Sequence, residues 1–164
     1  MKKIMELLQN MKAKNEKKDN KGFSLVELII VIAIMAILVG IVGTQVIPYI
    51  NKSKAEKDRQ LVNSYSTAAV SAYSMVAGEL SNAADNTLDI YTGTPTADST
   101  EAKIVAQVKE LTYSTWNDVK DKFKSKDAKN ATDVEVVINP TTHKVTATLK
   151  GADGAANLTV ESDL

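Results

Sequence analysis

Glu27 is the side chain whose chemistry and position conflict most sharply in this sequence. It closes the stretch Gly22-Phe23-Ser24-Leu25-Val26-Glu27, and from Leu28 to Asn51 no side chain is charged. A charge at the centre of a bilayer costs roughly 2.5–3.5 kcal/mol even on the gentlest scales, so a carboxylate on the shoulder of a membrane-length helix implies a partner or a task. Catalysis is not that task on the residues present. The chain has no cysteine and one histidine, His143, which falls in a predicted hairpin turn. Cysteine nucleophiles, thiolate zinc sites and histidine metal clusters are therefore excluded, and the expectation is no catalytic residue, no metal and no cofactor. The acidic residues are scattered among lysines, with neither a paired-carboxylate nor a calcium-loop spacing, and the glycines form no phosphate-cradling loop. Asn51, Asn130 and Asn157 each open an Asn-x-Ser/Thr triplet, which a threonine-rich chain produces by chance, and no role is assigned to them.

The elements that must position Glu27 follow from hydropathy. Residues 1–22 are lysine-rich (Lys2, Lys3, Lys12, Lys14, Lys17, Lys18, Lys21) and meet the apolar run abruptly, which is a targeting arrangement. The run exceeds an ordinary secretory h-region and no small-x-small site closes it, so a cut before the apolar helix is expected. Ile4, Leu7, Leu8 and Met11 recur at helical spacing in that leader, as in a helix lying on a membrane surface. The uncharged run is at least the roughly 20 residues that span a bilayer once. The basic leader favours a cytoplasmic N-terminus, although Lys52, Lys54, Lys57 and Arg59 on the far flank reduce the bias. Ala36, Gly40 and Thr44 put small residues on one helical face where a second helix can approach. Gly40, Gly43 and Pro48 weaken helix bonding in one zone, the predicted place for any bend or unwinding.

Beyond Pro48 the pattern turns amphipathic. Leu61, Val62, Tyr65, Ala68, Ala69, Ala72, Tyr73, Val76 and Leu80 form one face, with Lys57, Asp58, Asn63 and Ser71 opposite, and the helix ends near Gly78 and the polar cluster 81–86. Thr87–Thr100 reads as a surface loop with a short strand at Leu88–Tyr91. A short helix is predicted over Glu101–Leu111, capped by Ser99 or Thr100, and another turn or two over Trp116–Phe123, where Trp116 is a core or interface anchor. Val134, Val136 and Ile138, then Val145, Ala147 and Leu149, alternate around Asn139-Pro140-Thr141-Thr142 as a hairpin, and Leu158–Val160 supplies a third strand. The fold class is α+β: a long N-terminal helix with a small antiparallel sheet packed on its C-terminal half. Three regions result, a leader (1–22), an apolar half-helix (23–51) and the remaining helix plus head (52–164). With 164 residues and Lys plus Arg (20) balancing Asp plus Glu (20), one modest head is expected and no whole-chain field to gather nucleic acid.

Lys21-Gly22-Phe23-Ser24-Leu25-Val26-Glu27-Leu28, followed by Ile29 through Gly43, resembles the class III signal of type IV prepilins. The resemblance is specific over about the first 60 residues and architectural beyond. It implies cleavage by prepilin peptidase after Gly22, N-methylation of the new terminus at Phe23, and an assembly role for Glu27. Physical chemistry agrees. Cleavage would create an amine near the carboxylate, and in a helical homo-oligomer a neighbour's amine would neutralise Glu27 and penalise wrong registers, with its own amine as the competing partner. The implied partners are the membrane, the peptidase, a platform protein and ATPase of a pilus machine, and minor pilins. The implied location is the plasma membrane in single-pass form, then an extracellular filament serving adhesion or motility. Many family members carry proline where this chain has Thr44. With the longer leader and a head free of cysteine, this suggests a Gram-positive, clostridial-type major pilin. Two alternatives stay open: a pseudopilin of a type II secretion or DNA-uptake machine, and a monomeric membrane-anchored ligand-binding protein.

Overall fold

The computed structural model describes residues 5–6, 24–76, 79 and 85–164. The leader pattern at Ile4, Leu7, Leu8 and Met11 and the helix-ending signals at Gly78 and 81–84 lie outside the described residues. The chain divides into two compact units, Met1–Val46 and Ile47–Leu164.

Helix α1, Leu25–Met75, contributes to both. In the first unit its apolar side chains are exposed, and the helix is long and apolar enough to cross a membrane. It is helical through Gly40, Gly43 and Pro48, the zone named above as the place for any bend or unwinding. Proline has no N–H, so the Thr44 carbonyl lacks its helical donor there.

In the second unit α1 buries Val62, Tyr65, Ala68, Ala69 and Ala72, the i, i+3, i+4 pattern of one face. Alanine at three of these positions lets the sheet come close. That sheet has the order β1-β2-β3-β4, antiparallel throughout, from β1 (Asn86–Asp89), β2 (Asp133–Asn139), β3 (Lys144–Lys150) and β4 (Val160–Asp163). The hairpin is as its alternation predicts. Val134 pairs with Leu149, Val136 with Ala147 and Ile138 with Val145, and all six side chains are fully buried. His143 is exposed at the hairpin turn, with positive φ (54°). Helix α2, Thr100–Leu111, is capped by the Ser99 hydroxyl, which accepts from the Ala102 N–H at 3.1 Å, and buries Ile104, Val105 and Val108. Helix α3, Trp116–Val119, runs into a 3-10 turn at Lys120–Lys122.

Three details differ from the sequence reading. The first strand occupies Asn86–Asp89, because Ile90 turns into the core and the next two backbone N–H groups, of Tyr91 and Thr92, are taken by the Asp133 carboxylate (2.9 and 2.8 Å). The last strand begins at Val160, because Leu158 ends a 3-10 turn and is fully buried. Asp58, expected on the polar face, is 2% exposed. Its carboxylate accepts from the Lys124 N–H (3.0 and 3.1 Å) and the Ser125 N–H (2.7 Å), which satisfies a loop that could not otherwise pack against the helix.

An aromatic row closes one side of the core. The Tyr65 and Tyr91 hydroxyls are 2.6 Å apart, and Tyr91 donates to the Tyr113 carbonyl at 2.9 Å, so Tyr65 is the donor between the two. Tyr91 and Trp116 rings lie 5.7 Å apart and Trp116 and Phe123 6.2 Å, which makes Trp116 the half-buried anchor expected. Burial, reinforced by the Tyr91 contact, pushes the Tyr65 hydroxyl far above the ordinary tyrosine range. A raised acid pKa means that the unfolded chain loses the proton first. This contribution is complete below about pH 10 and declines as pH rises beyond it. Denaturant midpoints measured upward from neutral pH should fall above about pH 10, and Tyr65→Phe should flatten that fall.

Candidate functional site

The site begins at the start of α1. Ser24 precedes the first helical residue, and its hydroxyl accepts from the Val26 N–H at 3.3 Å. Glu27 reaches back in turn, its Oε2 accepting from the Ser24 N–H at 2.8 Å. This is a variant of the capping box: the Glu three residues past the Ser cap takes the cap's own N–H, while the Ser hydroxyl takes the second helical N–H instead of the third. The carboxylate also sits where the helix dipole favours negative charge. Glu27 thus has a local partner that the sequence reading missed, although Ser24-Leu25-Val26-Glu27 spells the S-x-x-E signal that would have found it. Gly22 and Phe23 lie outside the described residues.

Ala36, Gly40 and Thr44 lie further along the same helix. A Cβ built on Gly40 or on Gly43 meets nothing within 4 Å, so the chain's own atoms do not fill that face. The Thr44 hydroxyl bonds back to the Ile41 carbonyl at 3.0 Å, with Gly40 O at 3.4 Å. A threonine satisfied within its own helix enters an apolar setting without an outside partner.

Elsewhere, chemistry-bearing groups are held structurally. A cavity of about 420 Å³ beside β1 is lined by Asp89, Thr94, Ser99 and Glu101 among others, and neither a histidine nor a lysine is in its lining. Among the described residues, no group of three His, Asp or Glu side chains is placed to hold a metal ion. Asp133, fully buried, spends both oxygens on the turn after β1. His143 stays at its exposed turn, far in role from any acid–base pair.

Residues 17–43 match the family model of the prokaryotic N-terminal methylation motif. The match brackets Gly22, Phe23 and Glu27 and extends into the small-residue face. With a long apolar helix leading to a four-stranded antiparallel sheet, it defines a class: a protein with a long apolar N-terminal helix and an α+β head behind an N-terminal methylation signal. More narrowly, the chain carries a type IV pilin-like prepilin signal, and its layout is the type IV pilin-like one. No curated protein and no solved structure matches the chain.

Proposed function

We propose that this chain is a structural subunit of a type IV pilus, of the Gram-positive, clostridial-type major pilin kind. Prepilin peptidase removes 1–22 by cutting after Gly22, and the new terminus at Phe23 is N-methylated. Residues 23–51 anchor the subunit in the plasma membrane with its N-terminus cytoplasmic, then pass into the core of an extracellular filament. Residues 52–164 form the filament surface. Glu27 pairs with the terminal amine of a neighbouring subunit, and Ala36, Gly40 and Thr44 let adjacent helices approach. A platform protein, an assembly ATPase and minor pilins complete the machinery, and no catalytic residue, metal or cofactor belongs to this reading.

The observation that supports it is one juxtaposition: the methylation motif runs into an apolar helix whose side chains remain exposed, while the continuation of that helix buries one face in a packed head. Exposed apolar residues over such a length need lipid or other copies to cover them. Mass spectrometry of filaments sheared from the cell surface tests the proposal. The expected result is this chain as an abundant component beginning at methylated Phe23. Abundant filaments that lack it, with the processed chain confined to the membrane, would favour a pseudopilin. An unprocessed chain would remove the pilin reading.

A further inference from the structure

Two basic runs, distant in sequence, meet where α1 leaves its apolar stretch. Lys52, Lys54, Lys57 and Arg59 follow directly on Ile47, Tyr49 and Ile50, all of them exposed. Lys120, Lys124, Lys126 and Lys129 come from the 3-10 turn after α3 and the loop beyond it, and are exposed too. The buried Asp58 carboxylate joins the runs by accepting the Lys124 and Ser125 N–H groups, and the Ser125 hydroxyl fixes the next turn by accepting from the Ala128 N–H at 3.2 Å. As a result Lys52, Arg59 and Lys126 line a single cavity of about 480 Å³ with Asn51 and Asn157. Two carboxylates, Glu56 and Asp127, share that lining, and Asp127 already accepts from Asn157 at 3.0 Å.

The cations elsewhere in the head are engaged. Lys103 pairs with Glu79 (3.2 Å), Lys144 with Glu161 (3.0 Å) and Lys150 with Asp89 (2.7 Å), while Lys109 and Lys122 lie over the rings of Tyr91 and Tyr113. Among the described residues, every cation without an ion pair or a ring contact belongs to the two basic runs. Among the described residues, the uncommitted positive charge is therefore gathered in these two runs.

We propose that this basal surface binds the phosphate head groups of anionic phospholipids in the leaflet from which α1 emerges, seating the head on the membrane before assembly. The inference rests on the reading that the apolar part of α1 spans a membrane. Lys52 lies two residues past Ile50, about 3 Å of helix rise, and Tyr49 is an aromatic at the level where such rings sit in the water interface. Lys52 and Lys54, about 3 and 6 Å along the helix from Ile50, fall within the roughly 8 Å over which an anionic surface acts at physiological ionic strength, and Lys126 lines the same cavity as Lys52. Duplex nucleic acid is the weaker fit, because Glu56 and Asp127 share the lining and the chain as a whole carries no net positive charge.

The full chain, reconstituted in vesicles of phosphatidylcholine with or without phosphatidylglycerol, provides the test. The chain has no cysteine, so Ala156→Cys, exposed beside the cavity, gives a single site for a fluorophore. Energy transfer to head-group-labelled lipid should rise about twofold when phosphatidylglycerol is present and return to baseline in high salt. A Lys124→Gln, Lys126→Gln, Lys129→Gln variant should lose most of the rise, yet it keeps the backbone N–H groups that Asp58 holds. Lys52→Gln with Lys54→Gln provides a second variant on the other run. Flotation with the vesicles reports insertion separately, so a chain that fails to float removes the membrane-span reading. A chain that floats with equal transfer in both vesicle types, or with an undiminished rise in both variants, overturns the proposal. So does a fluorescent duplex that binds the floated protein through the same lysines while transfer is unchanged.

Discussion

Asp133→Ala is expected to destabilise the head by about 2–4 kcal/mol, because it removes one fully buried carboxylate on which the turn after β1 depends. Oδ1 accepts from the Tyr91 N–H at 2.9 Å and the Val134 N–H at 2.7 Å, and Oδ2 from the Thr92 N–H at 2.8 Å and the Thr92 hydroxyl at 2.6 Å. Hydrogen bonds to a charged acceptor are worth about 1.5–3 kcal/mol each, and a stranded buried donor costs about 1–3 kcal/mol. Simple addition would overshoot, because Tyr91 is only half-buried, Thr92 is exposed, and water can reach part of the turn. Asp133→Asn should recover little. Its amide has one acceptor oxygen, and its NH2 group would face N–H donors that need an acceptor. The loss should appear as a drop in melting temperature on the order of 10 °C for the full chain in detergent, read from the single tryptophan. Trp116 is a faithful reporter, since it stacks near Tyr91, whose N–H is one of those Asp133 holds. A shift of less than about 0.5 kcal/mol, the level of ordinary surface substitutions, would show that the turn stands without the carboxylate.

The two buried aspartates mark where sequence reading stops. Val134, Val136, Ile138, Val145, Ala147 and Leu149 announce their faces, because period-two alternation is a local property and the sheet only has to obey it. Ser99 announces the start of α2 for the same reason: its partner is three residues away. Asp58 and Asp133 announce nothing. Their partners are backbone N–H groups 66 and 42 residues distant, and a carboxylate's type argues for solvent until the fold supplies those donors. The cluster of uncommitted cations at the base of the head follows from Asp58 and was hidden with it. The last strand shifted for a related reason. Leu158 and Val160 are both apolar, so alternation alone could not tell the residue that fills the core from the one that starts the pairing. The helix-start site was legible to the extent that it is contiguous. Gly22, Phe23 and Glu27 sit inside a motif read along the chain. The capping role of Glu27 is written in the same residues, in the Ser24-x-x-Glu27 spacing.

That dual position gives Glu27 the most informative pair of substitutions in the chain. In the described state its carboxylate caps Ser24, and in the proposed filament it neutralises an amine created by cleavage. Glutamine separates the two. At the third residue of a capping box Gln serves as Glu does, since its amide oxygen can still accept the Ser24 N–H. It has no charge with which to meet an amine in a low-dielectric core, where an unpaired ion costs several kcal/mol. Glu27→Ala loses both roles, at about 1 kcal/mol for the cap. On the assembly reading, Glu27→Gln and Glu27→Ala should both be cut and methylated normally, and both should reduce surface filaments by at least about tenfold, since a lost pairing of even 1.4 kcal/mol per subunit is a factor of ten at every addition step. Counting filaments by electron microscopy and assaying processing by mass spectrometry separates the outcomes. If Gln assembles like the native chain and Ala does not, the carboxylate works as a helix cap and the charge is dispensable. If both assemble normally, the charge beside the membrane helix has a role outside the filament, and assembly rests on the apolar face of α1 alone.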